Sequence, residues 1–173
     1  MLIGEKIVLR PIRFDDWGKT IVWKNDLSIK SSTMSHPFPV TEELEKLWYE
    51  EQLQSKANTF IPFTAVLKSS DVVIGYFSLN NVNFISRNAL FSAVIGEKSM
   101  VGKGIGREAV DLLINYGFNY LNLQKISCYV VASHPAVRTY KELGGIEEGL
   151  LKSHFYSEGV YKDVLFLSWF KKS

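Results

Sequence analysis

The 173-residue chain has a single cysteine, five prolines, three histidines and three methionines. One cysteine cannot close an internal disulfide. Cys128 sits in an apolar run and reads as a core residue rather than a reactive thiol. No His, Cys, Asp and Glu cluster has metal-ligand spacing and there is no Gly-x-Ser-x-Gly elbow, so neither a resident metal nor serine-hydrolase chemistry is expected. Charge of one sign is also missing: 20 Lys and Arg against 18 Asp and Glu leave a formal +2. A nucleic-acid or membrane-surface binder would carry a large or clustered basic excess. Lys171 and Lys172 form only a short solubilising tail. No apolar run approaches the roughly 20 residues of a membrane span, and residues 1–6 lack the apolar core of a signal peptide. The expectation is a cytoplasmic protein, one domain over residues 1–173, with neither nucleic acid nor membrane as a partner.

What the chain does have is a run of alternating glycines, Val101-Gly102-Lys103-Gly104-Ile105-Gly106-Arg107. Glycine permits positive φ and a close approach of backbone to ligand. After Gly106, the apolar residues Ala109, Leu112, Leu113, Tyr116, Tyr120 and Leu121 recur at helical spacing, so the loop opens a helix. The first turn of a helix has N–H groups without internal partners and the positive end of the dipole, which together favour a phosphate. An apolar run over residues 89–96 precedes the loop and another over 125–131 follows the helix, giving strand, glycine loop, helix, strand.

Two phosphate motifs fail on this order. The nucleotide-triphosphate loop requires Ser or Thr after its lysine, and Lys103 is followed by Gly104. The dinucleotide fingerprint is formally met by Gly104, Gly106 and Ala109. It also wants an acidic residue at the end of the next strand, and residues 129–133 offer none.

A third loop fits better. Gly104-Ile105-Gly106 matches the end of the Gln/Arg-x-x-Gly-x-Gly/Ala loop, with Val101 in place of the Gln or Arg. Residues 133–145, Ser-His-Pro-Ala-Val-Arg-Thr-Tyr-Lys-Glu-Leu-Gly-Gly, follow the pattern Asn-x-x-Ser/Ala-x-x-x-Tyr-x-Lys-x-Gly-Phe. Ser133, Glu142 and Gly145 are the departures, and Tyr140 is in register. A last block, Glu148-Gly149-x-Leu151 with Gly159-x-Tyr161-x-Asp163-Val164, resembles a C-terminal hairpin. In these three blocks, taken in order, the chain resembles the GNAT superfamily of N-acetyltransferases. The last block looks like the branch holding ribosomal-protein N-terminal, spermidine and amino-sugar-nucleotide acetyltransferases.

The rest of the pattern suits that fold class, an α/β (α+β) GNAT-like mixed, mostly antiparallel sheet of six to seven strands flanked by about four helices. Strands are predicted at residues 7–12, 60–67, 72–80, 89–96, 125–131, 146–151 and 164–170, and helices after Asp16, after Thr41, after Gly106 and around Tyr140. Residues 28–40, with two prolines and no period, read as a long loop, and 81–86 as a turn.

The resemblance implies acetyl-CoA as co-substrate and a primary amine as acceptor, attacked directly in a ternary complex. Its pyrophosphate would lie on the N–H groups of Gly102, Lys103, Gly104, Ile105, Gly106 and Arg107, with Ser133, Lys103 and Arg138 as further contacts. Backbone N–H groups near Val94 and Ile95 would polarise the thioester carbonyl. Tyr140, a phenol protonated at neutral pH, is the candidate acid for the leaving thiolate. Glu97, His36, His154 and a water chain are the candidate bases.

The acceptor would meet Trp23, Asn25, His36, Phe38, His154 and Tyr156. A polyamine site should be markedly acidic, and residues 28–40 contain no carboxylate. An amino-sugar nucleotide and a protein N-terminus both fit. A non-catalytic acyl-CoA sensor or interaction domain is the other reading; Tyr140, Gly104 and Gly106 favour the enzyme, and Val101, Ser133 and Gly145 stand against it. A homodimer is the assembly left open.

Overall fold

A computed structural model describes residues 1–55 and 58–172. Its strands are β1 (Leu2–Ile3), β2 (Ile7–Pro11), β3 (Ile61–Leu67), β4 (Val73–Asn83), β5 (Asn88–Ile95), β6 (Lys125–Val131), β7 (Ile146–Ser157) and β8 (Val160–Phe170). Its helices are α1 (Trp17–Asn25), α2 (Leu27–Ser32), α3 (Glu42–Gln54), α4 (Ile105–Asn119) and α5 (Ala136–Glu142). The strands form one 8-stranded sheet in the order β1-β2-β3-β4-β5-β6-β8-β7. Every pairing is antiparallel except β5 with β6. This is the mixed, mostly antiparallel sheet the pattern predicts.

Strand alternation divides the helices between two faces. Leu9, Ala65, Gly75 and Ile95 are successive cross-strand partners and face α4. The neighbouring row, Arg10, Thr64, Tyr76 and Val94, faces the N-terminal helices. On α4 the buried stripe is Ile105, Ala109, Val110, Leu113, Ile114 and Gly117. It is rotated from the expected one, and Tyr120 is 79% exposed. Gly117 is needed for closeness, because a Cβ there would lie 2.5 Å from Ile126 Cδ1.

The N-terminal layer is held by buried polar groups. Asp16 accepts from Arg10 at 2.7 and 2.9 Å, from Thr64 Oγ1 at 2.7 Å and from the Arg13 N–H at 2.8 Å. Burial pushes the Asp16 carboxyl up, but these donors outweigh it and leave it below the usual carboxylate range. On α3, Glu45 is 1% exposed and accepts from Thr20 of α1 at 2.5 Å and from Lys24 at 2.8 Å.

Four elements differ from expectation. The two-residue β1 has no counterpart among the predicted strands. The segment read as a long loop starts with α2, because Asp26 accepts from the N–H groups of Ser28 and Ile29 and caps a turn of helix. Residues 81–83, read as turn, continue β4, with Asn81 in the left-handed region. The last hairpin is longer than predicted and turns only at Glu158 and Gly159, both at positive φ. Among the described residues, no helix is long and apolar enough to cross a membrane, and no His, Cys, Asp and Glu group has the makings of a metal site.

Candidate active site

β5 pairs with β6 only at Asn88, Ala89 and Leu90. Beyond Leu90, β5 stays with β4 while β6 continues along β8, so the edge of β5 from Phe91 to Ile95 has no ladder partner on the β6 side. Val94 and Ile95 fall in this splayed section. N–H groups alternate in direction along a strand: Gly96 donates to Ile74 and the Val94 carbonyl lies against Gly75, both toward β4, so of the two it is the Ile95 N–H that faces the open side as a ready donor.

The glycine loop ends at the mouth of this splay. Gly102 and Gly104 adopt φ of 79° and 80°, a region that penalises any side chain. Gly104 is the N-cap of α4, and the first internal helix bond runs from the Glu108 N–H to the Gly104 carbonyl. The N–H groups of Ile105, Gly106 and Arg107 therefore point out of the helix start. Gly106 serves packing instead. A Cβ there would meet Ile95 Cδ1 at 3.1 Å, so its absence lets α4 sit close to β5. Beside the loop lies a cavity of about 590 Å³, lined by Lys6, Lys68 and Lys103 among others, and Lys6 Nζ donates to the Lys103 carbonyl at 3.1 Å.

Tyr140 projects from α5 onto Phe91 of β5 (5.4 Å, edge to face) and Trp169 of β8 (5.9 Å, edge to face). Burial raises its pKa, and the neighbouring Cys128, itself pushed up to about 12 by burial, adds to the effect. Among the described residues its hydroxyl has no hydrogen-bond partner. Tyr140 is thus a protonated phenol over the start of the splay.

Gly145, where the family pattern has Phe, is explained by Trp169: a Cβ on Gly145 would be 2.8 Å from that indole. Ser133 is exposed in the turn before α5. His134 Nδ1 accepts the Ala136 N–H at 3.1 Å and starts the helix. Arg107 and Arg138, from two helices, meet on one carboxylate: Glu142 accepts from them at 2.9 and 2.8 Å. Glu97, just past β5, accepts from Ser99 Oγ at 2.9 Å.

A second cavity, of about 220 Å³, lies on the N-terminal face. Trp23, Lys24, Ile29, Lys30, Thr33, Ser35, His36, Val40 and Tyr76 line it. Trp23, Ile29 and Val94 form one small buried cluster, with Tyr76 packed on it, which sets this cavity against the splayed section of β5. Of the acceptor residues expected from sequence, Trp23 and His36 are brought together here. Asn25 instead clasps Val40 in both directions at 2.8 and 2.9 Å, closing the loop. Phe38 is 72% exposed and stacks on His36 at 6.1 Å.

His154 and Tyr156 are not in the lining. His154 stands on strand β7 rather than in a hairpin loop, and Tyr156 packs on Tyr161 at 5.0 Å. The hairpin reaches α2 through its tip, where Ser31 bonds Ser157 at 2.8 Å and Glu158 at 2.9 Å. Lys30 and Tyr76 are lining residues that sequence reasoning misses. Burial, with Glu45 close by, lifts the Tyr76 phenol to about 12.

This architecture defines a class: a glycine loop at a helix start, facing a splayed pair of parallel strands with a tyrosine over the gap. Residues 6–145 match the family of acetyltransferase (GNAT) domains. The spermidine N(1)-acetyltransferase of Vibrio cholerae is 33% identical over 163 residues, covering 94% of this chain and 91% of that protein. The probable N-acetyltransferase YjcK of Bacillus subtilis is 34% identical over 171 residues, covering 94% and 93%. The crystal structure of the V. cholerae spermidine N-acetyltransferase with CoA and spermine superposes with a TM-score of 0.88 at 27% identity, over 96% of each chain. A dodecameric structure of that enzyme gives 0.81 at 29% identity, over 96% of this chain and 95% of that one. The chain belongs to the GNAT acetyltransferases, and it is an acetyl-CoA-dependent N-acetyltransferase.

Proposed function

We propose that the protein moves an acetyl group from acetyl-CoA directly to a primary amine, with both substrates bound at once. The observation that carries this reading is the convergence at one splay of three things: the outward N–H groups at the start of α4, the unpaired edge of β5 and Tyr140. Acetyl-CoA supplies a thioester whose carbonyl carbon accepts the amine.

The chain's own groups have separable roles. Backbone N–H groups from Gly102 to Arg107 hold the pyrophosphate, helped by the dipole of α4 and by Lys103. On the free edge of β5 the Ile95 N–H orients and polarises the thioester oxygen, while Val94 bonds back to β4 and holds that edge in place. The amine nitrogen forms the new bond to carbon as the carbon–sulfur bond breaks. Tyr140, protonated at neutral pH as any phenol is, gives its proton to the departing sulfur and regains one from water. The amine's surplus proton leaves through water or one of Glu97, His36 and His154. Arg107 and Arg138 are held by Glu142 at the edge of the same mouth, where they can meet cofactor phosphates.

The acceptor enters from the N-terminal face, through the cavity against Trp23 and His36. Spermidine is supported as acceptor by the relatives' names, and an amino-sugar nucleotide or a protein N-terminus by the lining. Thiol release from acetyl-CoA against a panel of spermidine, amino-sugar nucleotides and short peptides tests the reaction. Turnover with any of them is expected. Tight acetyl-CoA binding without turnover of any amine would replace the enzyme with a sensor.

A further inference from the structure

We propose that the acceptor amine also carries an anionic group, a phosphate or a carboxylate, that docks on Lys30 in the cavity beside Trp23. The inference rests on the acyl-transfer reading and narrows its substrate class. Lys30 is only 5% exposed, and its Nζ donates to the Phe38 carbonyl. Among the described residues no carboxylate pairs with it. Its neighbour Lys24 differs: Glu45 neutralises it at 2.8 Å and the Trp48 ring covers it at 4.2 Å.

A buried ammonium without a counter-ion is costly, and an ammonium has three donors where Lys30 spends one. The missing negative charge is what a ligand anion would bring, in a charge-assisted hydrogen bond. Thr33 and Ser35 line the same wall, their hydroxyls 2.9 Å apart and Thr33 donating on to the Ile29 carbonyl, so Lys30 is the group there with donors to spare, and no carboxylate lines the cavity. A polyamine would instead bring further ammonium groups against a lysine already uncompensated, where poor solvation strengthens the repulsion. The location serves the reaction, because Tyr76 of the lining is the cross-strand partner of Val94 in the splayed section of β5.

The test compares matched amines by thiol release: glucosamine with glucosamine 6-phosphate, butylamine with 4-aminobutyrate, and spermidine. In one pair at least, the anionic member should have a kcat/KM more than tenfold above the neutral one; the pair that shows it separates phosphate from carboxylate. Lys30→Met keeps the stem and drops the charge, so it should bring that ratio near one, and Lys30→Arg should restore most of it. Ratios near one in both wild-type pairs, spermidine above every anionic amine, or a preference that survives in folded Lys30→Met would each overturn the proposal. If Lys30→Met does not fold, the wild-type ratios decide alone. If no amine is acetylated, acyl transfer itself fails. Calorimetry of glucosamine 6-phosphate and 4-aminobutyrate on the CoA-saturated protein then judges Lys30: binding lost in Lys30→Met supports the site, and no binding to the wild type overturns it.

Discussion

Trp23 and Gly96 are in direct contact: a Cβ on Gly96 would sit 1.8 Å from the indole of Trp23. The indole thus lies on the backbone at the end of β5, joining the acceptor face to the splay. Asp26, the residue after α1, ion-pairs with Lys98 at 2.6 Å, so the same two segments are tied a second time.

Gly96→Ala should therefore act on substrate handling as well as on stability. The methyl group must displace an aromatic ring from a well-packed place, which costs about 1–3 kcal/mol. A lower denaturant midpoint and a raised KM for the amine are expected, with acetyl-CoA affinity little changed. An unchanged amine KM in the folded variant would separate Trp23 from the acceptor site.

Gly104 tests the glycine loop. A Cβ there meets only Lys6 Nζ, at 3.6 Å, so Gly104→Ala creates no clash within the protein; its cost is the positive φ, about 1–2 kcal/mol. The backbone should relax away from that conformation and turn the N–H groups off the phosphates. Acetyl-CoA affinity should fall more than about tenfold, or 1.4 kcal/mol. Gly159→Ala is the control, with φ of 82° and open space at the tip of the last hairpin. It should lose similar stability and keep its acetyl-CoA affinity. Calorimetry on both variants checks the pair, and equal affinities would move the pyrophosphate elsewhere.

Tyr140→Phe removes one hydroxyl and keeps the ring that packs on Phe91 and Trp169. A loss of roughly 10²-fold in kcat is expected, with acetyl-CoA binding intact. A kcat close to wild type, measured where chemistry limits the rate, would take Tyr140 out of the mechanism.

How far the sequence discloses this arrangement depends on whether the cause is local. The glycine loop and α4 are legible because positive φ at Gly102 and Gly104 demands glycine, and the helix writes its own period. The splay near Val94 and Ile95 is legible only through the family resemblance and has no local signal of its own, because it depends on β6 leaving β5 for β8, a strand far along the chain. The apparent departure at Gly145 has its answer in Trp169, and no local signal links the two. Six-residue α2 is hidden in a Ser-rich stretch where only Asp26 marks a start. Lys30 reads as a solvated lysine until tertiary structure buries it. His154 reads as a loop residue because the bulge at Ser153, at φ 48°, interrupts the strand pattern that continues past it.

Asp16 links stability to pH. Its folded pKa lies below the ordinary value of 3.8, so its stabilising effect is fully present above that value and is lost as pH falls through the lower folded one. Asp16→Asn leaves Arg10 buried without its charge partner and should cost about 3–5 kcal/mol at neutral pH. The variant should also lose part of the acid-side fall in Tm that the wild type shows below about pH 4. Thermal melts across acid pH measure both effects. Parallel acid limbs in the two proteins would mean that other carboxylates set the slope.

The base is the remaining kinetic question, and the geometry favours water over any single side chain. Glu97 is occupied by the Ser99 hydroxyl, His36 is exposed and stacked on Phe38, and His154 stands on an exposed part of β7 away from the cavity lining. An α-amino group has a pKa of about 8 and is already partly neutral at pH 7, so a strong base is unnecessary. With such an acceptor, kcat/KM should rise with pH and level off near the amine's own pKa. Glu97→Gln, His36→Gln and His154→Gln should each keep that midpoint and most of the rate. Changing the acceptor to an amine of higher pKa should move the midpoint up with it. If one of the three variants loses turnover together with the acid limb of the profile, that residue takes the proton, and the water route is wrong.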